Sequence, residues 1–180
     1  MADRVEFNLN EQNIIVSVGG EWDQFALANN APELVGEQVI GLSVLDFVSG
    51  NVTRQFLQSL LQLVRSGSRP IELEYRCDSP LEKRFMKMHV SLTLSGQVRF
   101  INSTLRIEHR DQACHISKSV QRGKNTNIRC SICNLIKSSH DWLEPEKISA
   151  FNTQAHTGLQ VVYGICDSCA QQLQKQYLTQ

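Results

Sequence analysis

Residues 51–77 read NVTRQFLQSLLQLVRSGSRPIELEYRC, and within them the spacing of apolar side chains changes from a helical period to a period of two. Phe56, Leu57, Leu60, Leu61 and Val64 fall at i, i+1, i+4, i+5 and i+8, the stripe of an amphipathic helix that Gly67 brings to an end. After Pro70 the pattern alternates. Ile71, Leu73, Tyr75 and Cys77 share one face and Glu72, Glu74 and Arg76 the other, which predicts a strand with one wet side. Two more alternating runs follow, RFMKMHVSLTL (84–94) and QVRFINSTLRIEH (97–109), joined by a Ser95-Gly96 turn. A helix and then three antiparallel strands are therefore expected.

Upstream, NIIVSVGG (13–20) is a β-branched run closed by two glycines and reads as a first strand. The stretch EWDQFALANNAPELVGEQVIG (21–41) is interrupted at Asn29, Asn30, Pro32, Gly36 and Gly41, so it predicts several short helical pieces and no long one. With 180 residues, 41% of them hydrophobic and 20% charged, the composition is that of a globular protein. No apolar run approaches the roughly 18 residues of a membrane span, and MADRVEFNLNEQN (1–13) has no apolar core of a secretory signal, so a cytoplasmic, non-membrane location is expected. Residues 1–111 carry 11 Lys+Arg and 14 Asp+Glu, and residues 112–180 carry 7 and 4, so a body of −3 is joined to a tail of +3. That asymmetry is small and the tail lacks a basic cluster with interleaved aromatics. Nucleic-acid binding through a zinc ribbon in the tail is a third reading of the chain, and nucleic acid is not the expected partner. No phosphate-binding G-x-x-x-x-G-K-[ST] and no G-x-S-x-G elbow is present, and no enzyme is expected.

The strongest chemical signal is in the last third, where Cys130, Cys133, Cys166 and Cys169 form C-x2-C-x32-C-x2-C. Two residues between thiolates let both sulfurs of a tight turn face one ion, and two such turns complete a tetrahedron around zinc. The gap exceeds the roughly 15 to 20 residues of the commonest pattern, so it must be folded. DWLEPEKISAF (141–151) supplies a helix beginning near Glu144, and GLQVVYG (158–164) a strand leading to the second pair. DSCAQQLQKQYL (167–178) predicts a helix whose positive N-terminal end stabilises the thiolates of Cys169 and Cys166. Four thiolates leave no open position on zinc, so the expected role is structural. Two other readings compete: four buried thiols acting as small hydrophobes, and a thiol redox protein whose paired cysteines exchange disulfides. Asn134 after the first pair excludes C-x-x-C-H haem attachment. His156 is an alternative ligand, and Lys137, His140 and Lys147 are expected to be ordinary surface side chains.

Adjacent Cys114 and His115 cannot face each other in regular structure and are expected in a linker or connecting helix. Cys77 belongs to the apolar face of its strand. Asp78, Ser79 and Pro80 read as a turn; a pairing of Arg84 with Asp78 across it is a reading that spacing alone does not establish. His89 and His109 sit in or beside strands, and no haem is expected on them.

The order strand, broken helices, one long helix and three antiparallel strands resembles the PAS sensory fold, with Gly41, Asp46 and Phe47 standing where PAS domains carry a Gly before a short segment ending in an Asp-Phe-like pair. YRCDSPLEKRFMKMHV (75–90), followed by CSICNLIKSSHDWLEPEKI (130–148) and YGICDSC (163–169), looks like bacterial signalling-type proteins that join a PAS-like domain to a cysteine-rich tail. The resemblance implies an α+β chain. Residues 10–110 would be a PAS-like antiparallel sheet with flanking helices, 111–127 a linker, and 128–180 a zinc-ribbon or treble-clef-like module. It also implies a sensory pocket near Trp22, Phe25, Phe47, Phe56, Tyr75 and Cys77, holding a small molecule of unspecified identity, whereas the residues by themselves are read first as core filling. No output domain is read in the chain, so a regulatory role is expected to pass through a protein partner or a second copy in a homodimer.

Overall fold

The computed structural model describes residues 4–67, 69–119, 122–123, 126–148 and 158–177. Alternation of Val5, Phe7 and Leu9 makes Arg4–Leu9 strand β1, which the expected start at residue 10 leaves out. Val5 and Leu9 are buried, and Phe7 stacks on Phe100 at 4.6 Å between ring centroids. The polar setting of three apolar residues hid the strand. β1 pairs antiparallel with β2 (Ile15–Gly20) on one side and with β5 (Val98–His109) on the other. The sheet order is β2-β1-β5-β4-β3, with β3 at Ile71–Arg76 and β4 at Glu82–Leu92. Connections of a few residues from β3 to β4 to β5 are long enough only for antiparallel neighbours.

Between β2 and β3 the punctuated stretch folds as the residues suggest. It forms α1 (Trp22–Ala28), a 3-10 turn at Pro32–Leu34, α2 (Gly36–Val39) and a 3-10 turn at Val44–Phe47. The helical stripe becomes α3 (Asn51–Arg65), with Leu60, Leu61 and Val64 buried and Phe56 and Leu57 half-buried. Burying each large side chain contributes about 1.5–3 kcal/mol.

The chain divides into two compact units, each drawn from separated stretches: residues 1–48, 54–75 and 84–107 in the first, and 49–53, 76–83 and 108–180 in the second. The second holds its own five-stranded sheet, ordered β6-β10-β7-β8-β9. Its strands are β6 (Ile116–Lys118), β7 (Asn127–Cys130), β8 (Ile136–Lys137), β9 (Trp142–Leu143) and β10 (Leu159–Gly164), followed by α4 (Asp167–Tyr177). β10 runs parallel to β6 and β7, while β7, β8 and β9 are antiparallel neighbours. Cys114, Ile136, Ile148, Leu159 and Val161 form its buried apolar cluster. Residues 116–118, within the segment expected to be a linker, are thus an edge strand, and Cys114 packs in the core with its N–H donated to the Pro80 carbonyl. The chain is α+β with one antiparallel and one mixed sheet. Among the described residues, no helix is long and apolar enough to cross a membrane.

Candidate metal centre

Parallel pairing of β7 and β10 explains the long gap between the cysteine pairs. Their register sets Gly164 beside Cys130, so both strands end at the same edge of the sheet, and each end runs into a C-x-x-C. Parallel strands require a crossover of roughly a dozen residues or more, and the gap must hold β10 as well. Here the crossover carries β8, β9 and a 3-10 turn at Pro145–Lys147. Of the helix expected from Glu144, residues 149–151 lie outside the described residues, and 144–148 hold that single turn. Pro145 starts it, and the Glu144 and Glu146 side chains engage arginines elsewhere in the unit. His156 lies outside the described residues.

The first pair sits on a tight turn. Cys130 donates its N–H to the Leu135 carbonyl and accepts from the Asn134 N–H, while Asn134 takes a left-handed φ of 62°. The turn is pinned from outside. The Arg76 N–H donates to the Ile132 carbonyl, the Ser131 N–H to Gly164, and the buried Asn134 amide to the Arg76 carbonyl. Asn134→Ala is expected to destabilise the second unit by about 1–3 kcal/mol, because alanine loses the buried hydrogen bond and resists a positive φ. Asn134→Gly should recover the conformational part only, and urea unfolding of the two variants reads the difference.

The second pair sits at the start of α4. Cys166 occupies the cap position: its carbonyl accepts from the Ala170 N–H at 2.9 Å and its sulfur from the Cys169 N–H at 3.4 Å. Cys130 Sγ in turn accepts from the Cys166 N–H at 3.4 Å. All four sulfurs lie within 4.8 Å of one another, Cys133 Sγ and Cys166 Sγ being 3.8 Å apart, and no disulfide joins them. Sulfurs about 2.3 Å from a tetrahedral metal stand roughly 3.8 Å from each other, so the donor set and its span fit a metal ion.

Electrostatics agree with that fit. The Cys133 thiol donates to Cys130 Sγ, and with the N–H groups of Cys133, Cys166 and Ile132 it outweighs burial and pulls Cys130 down to about 4. Cys133 is pushed up because it donates to that thiolate and is itself buried. Burial, and then the charge of Cys130, push Cys169 up to about 12. A divalent cation removes the repulsion by the Cys130 thiolate that pushes Cys133 and Cys169 up.

Of the remaining cysteines, Cys114 is buried and raised by that burial, and Cys77 is half-buried in the second unit, within 76–83. Lys137, His140 and Lys147 are exposed. The aromatic residues expected around a pocket are dispersed in their roles. Trp22 donates to the Leu34 carbonyl and meets Phe7 edge-on, Phe25 lies under the Arg84 guanidinium, and the Tyr75 hydroxyl donates to Asn102. Phe56 is half-buried and Phe47 is 40% exposed. A cavity of about 320 Å³ is lined by Trp22 and residues 18–24, without the other five. His89 and His109 stand 3.5 Å from Glu72 and 3.8 Å from Glu82.

Sequence reasoning missed a buried ionic cluster in the second unit. Asp78, its side chain 2% exposed, accepts two hydrogen bonds from Arg76 and one from Arg110. Arg76 also clamps Glu144, Arg110 bonds Glu146, and Lys83 lies within 3.6 Å of both glutamates. The expected partner of Asp78 was Arg84, which instead donates to Asn29. Arg76 falls on the face read as wet. It is buried because its charge is matched there, a fact that period-two alternation does not record.

No family model matches the chain, and no curated protein is significantly similar to it.

Proposed function

We propose that this is a non-catalytic signalling or regulatory protein in which a PAS-like sensory unit is joined to a structural zinc unit, and which acts by contact with a protein partner or a second copy. The observation that carries the zinc half is the convergence of four sulfurs within 4.8 Å. Four sulfurs at this spacing suit zinc, and four thiolates leave no vacant position for a reacting water. A tight cysteine turn combined with a second pair at a helix start favours a treble-clef-like arrangement over a ribbon. Support for the PAS-like half comes from the succession of two strands, short helical pieces, α3 and three strands.

Native mass spectrometry of anaerobically purified full-length protein tests this reading, because it reports metal, retained small molecule and oligomer together. One zinc and four protected thiols per chain are expected. A metal-free chain with Cys130, Cys133, Cys166 and Cys169 in disulfides would replace the zinc reading with the redox one.

A further inference from the structure

We infer that the second unit binds a small oxyanion, a monocarboxylate or a phosphate monoanion, on the guanidinium of Arg129. Arg129 lies on β7 with its side chain 9% exposed, and it lines a cavity of about 90 Å³ together with Asp78, Arg110 and Cys114. Its nearest carboxylate oxygen is Asp78 Oδ2 at 3.7 Å, too long for a hydrogen bond. Its Nε is buried without an acceptor, and among the described residues no hydrogen bond leaves its other nitrogens. Asp78 is not free to serve it, since Arg76 holds both carboxylate oxygens and Arg110 shares one of them. The Nε of Arg110, on the same cavity, is also buried without an acceptor.

Charge points the same way. Arg76, Lys83, Arg110 and Arg129 bring +4 to the cluster, and Asp78, Glu144 and Glu146 bring −3, leaving +1. One monoanion neutralises that excess. The planar guanidinium fork matches the two oxygens of a carboxylate or phosphate. The volume has room for roughly three waters, which suits a small oxyanion and excludes a nucleotide. Asp78 on the wall disfavours a dianion. Because Arg129 directly precedes Cys130, an anion that fixes this side chain also steadies the strand end that enters the cysteine turn.

Titration of acetate, and separately of phosphate, into the full chain as purified is followed by calorimetry at constant ionic strength, with chloride as the balancing ion. The Nε–H resonances of the arginines are recorded in parallel. Saturable binding with a selective shift of the Arg129 resonance is expected. Affinity should weaken at least tenfold in Arg129→Gln, be partly kept in Arg129→Lys, and be unchanged in Lys118→Gln, an exposed cation of the same unit. Response to acetate alone assigns a carboxylate ligand, and response to phosphate alone a phosphate ligand. Should Arg129→Gln fail to fold, the wild-type resonances and Arg129→Lys decide. Equal heats in wild type and Arg129→Gln, or shifts that chloride reproduces, would overturn the site. The metal content of the same sample is measured separately, so failure of the anion site and failure of the zinc reading are distinguishable.

Discussion

Cys166→Ser is expected to abolish stoichiometric zinc and unfold the second unit. The loss falls on the sulfur ligand alone, because the serine hydroxyl can still accept the Cys169 N–H at the start of α4. Structural zinc in small modules contributes about 10–16 kcal/mol of apparent folding free energy. Whole domains are stable by only about 5–15 kcal/mol, so weakening the centre is decisive for a unit whose apolar cluster is small. Circular dichroism and elemental analysis of the same sample read the result, and a strong chelator added to wild type should reproduce it. Cys77→Ser supplies the contrast. That cysteine stands outside the sulfur cluster, and its variant should keep one zinc per chain. A Cys166→Ser protein that retains one tightly held metal would refute the four-sulfur centre.

Asp78→Ala should cost about 3–5 kcal/mol, the largest effect expected away from the cysteines. Removing one partner from a buried network leaves Arg76 and Arg110 desolvated without their shared counter-ion. Asp78→Asn keeps the shape and loses the charge, so it should fall between wild type and alanine in urea unfolding. The pH dependence has a definite sign. Burial pushes the Asp78 carboxyl up, but the hydrogen bonds and charges of Arg76 and Arg110 outweigh it and hold the group below its ordinary value of 3.8. A carboxyl depressed in the folded state contributes stability that is fully present above its unfolded pKa and lost as pH falls through the folded one. The gap between wild type and Asp78→Asn should therefore be constant above about pH 5 and shrink below about pH 4. Comparing the two under one metal condition cancels acid release of the ion. A gap that persists undiminished at pH 3 would show that the carboxylate charge contributes nothing.

The elements that could be read in advance are those that short-range geometry dictates. The stripe from Phe56 to Val64 became α3, the alternation from Ile71 became β3, and Asn and Gly breaks cut residues 21–41 into short helical pieces. β1 escaped because Val5, Phe7 and Leu9 are diluted by polar neighbours. Its place between β2 and β5 comes from pairing partners that a local window does not contain. At Glu144 the described residues form one 3-10 turn whose acidic side chains have distant cationic partners, which sequence spacing does not record.

By itself the amino-acid order marked the four candidate ligands, because sulfurs two residues apart can share a turn and that spacing is written in the chain. Only the tertiary structure decided how Arg76, Asp78, Arg110, Arg129 and Glu144 meet, and with them the cavity at Arg129. Charges separated by tens of residues attract according to distance in space and the dielectric between them, and neither quantity is encoded in sequence spacing.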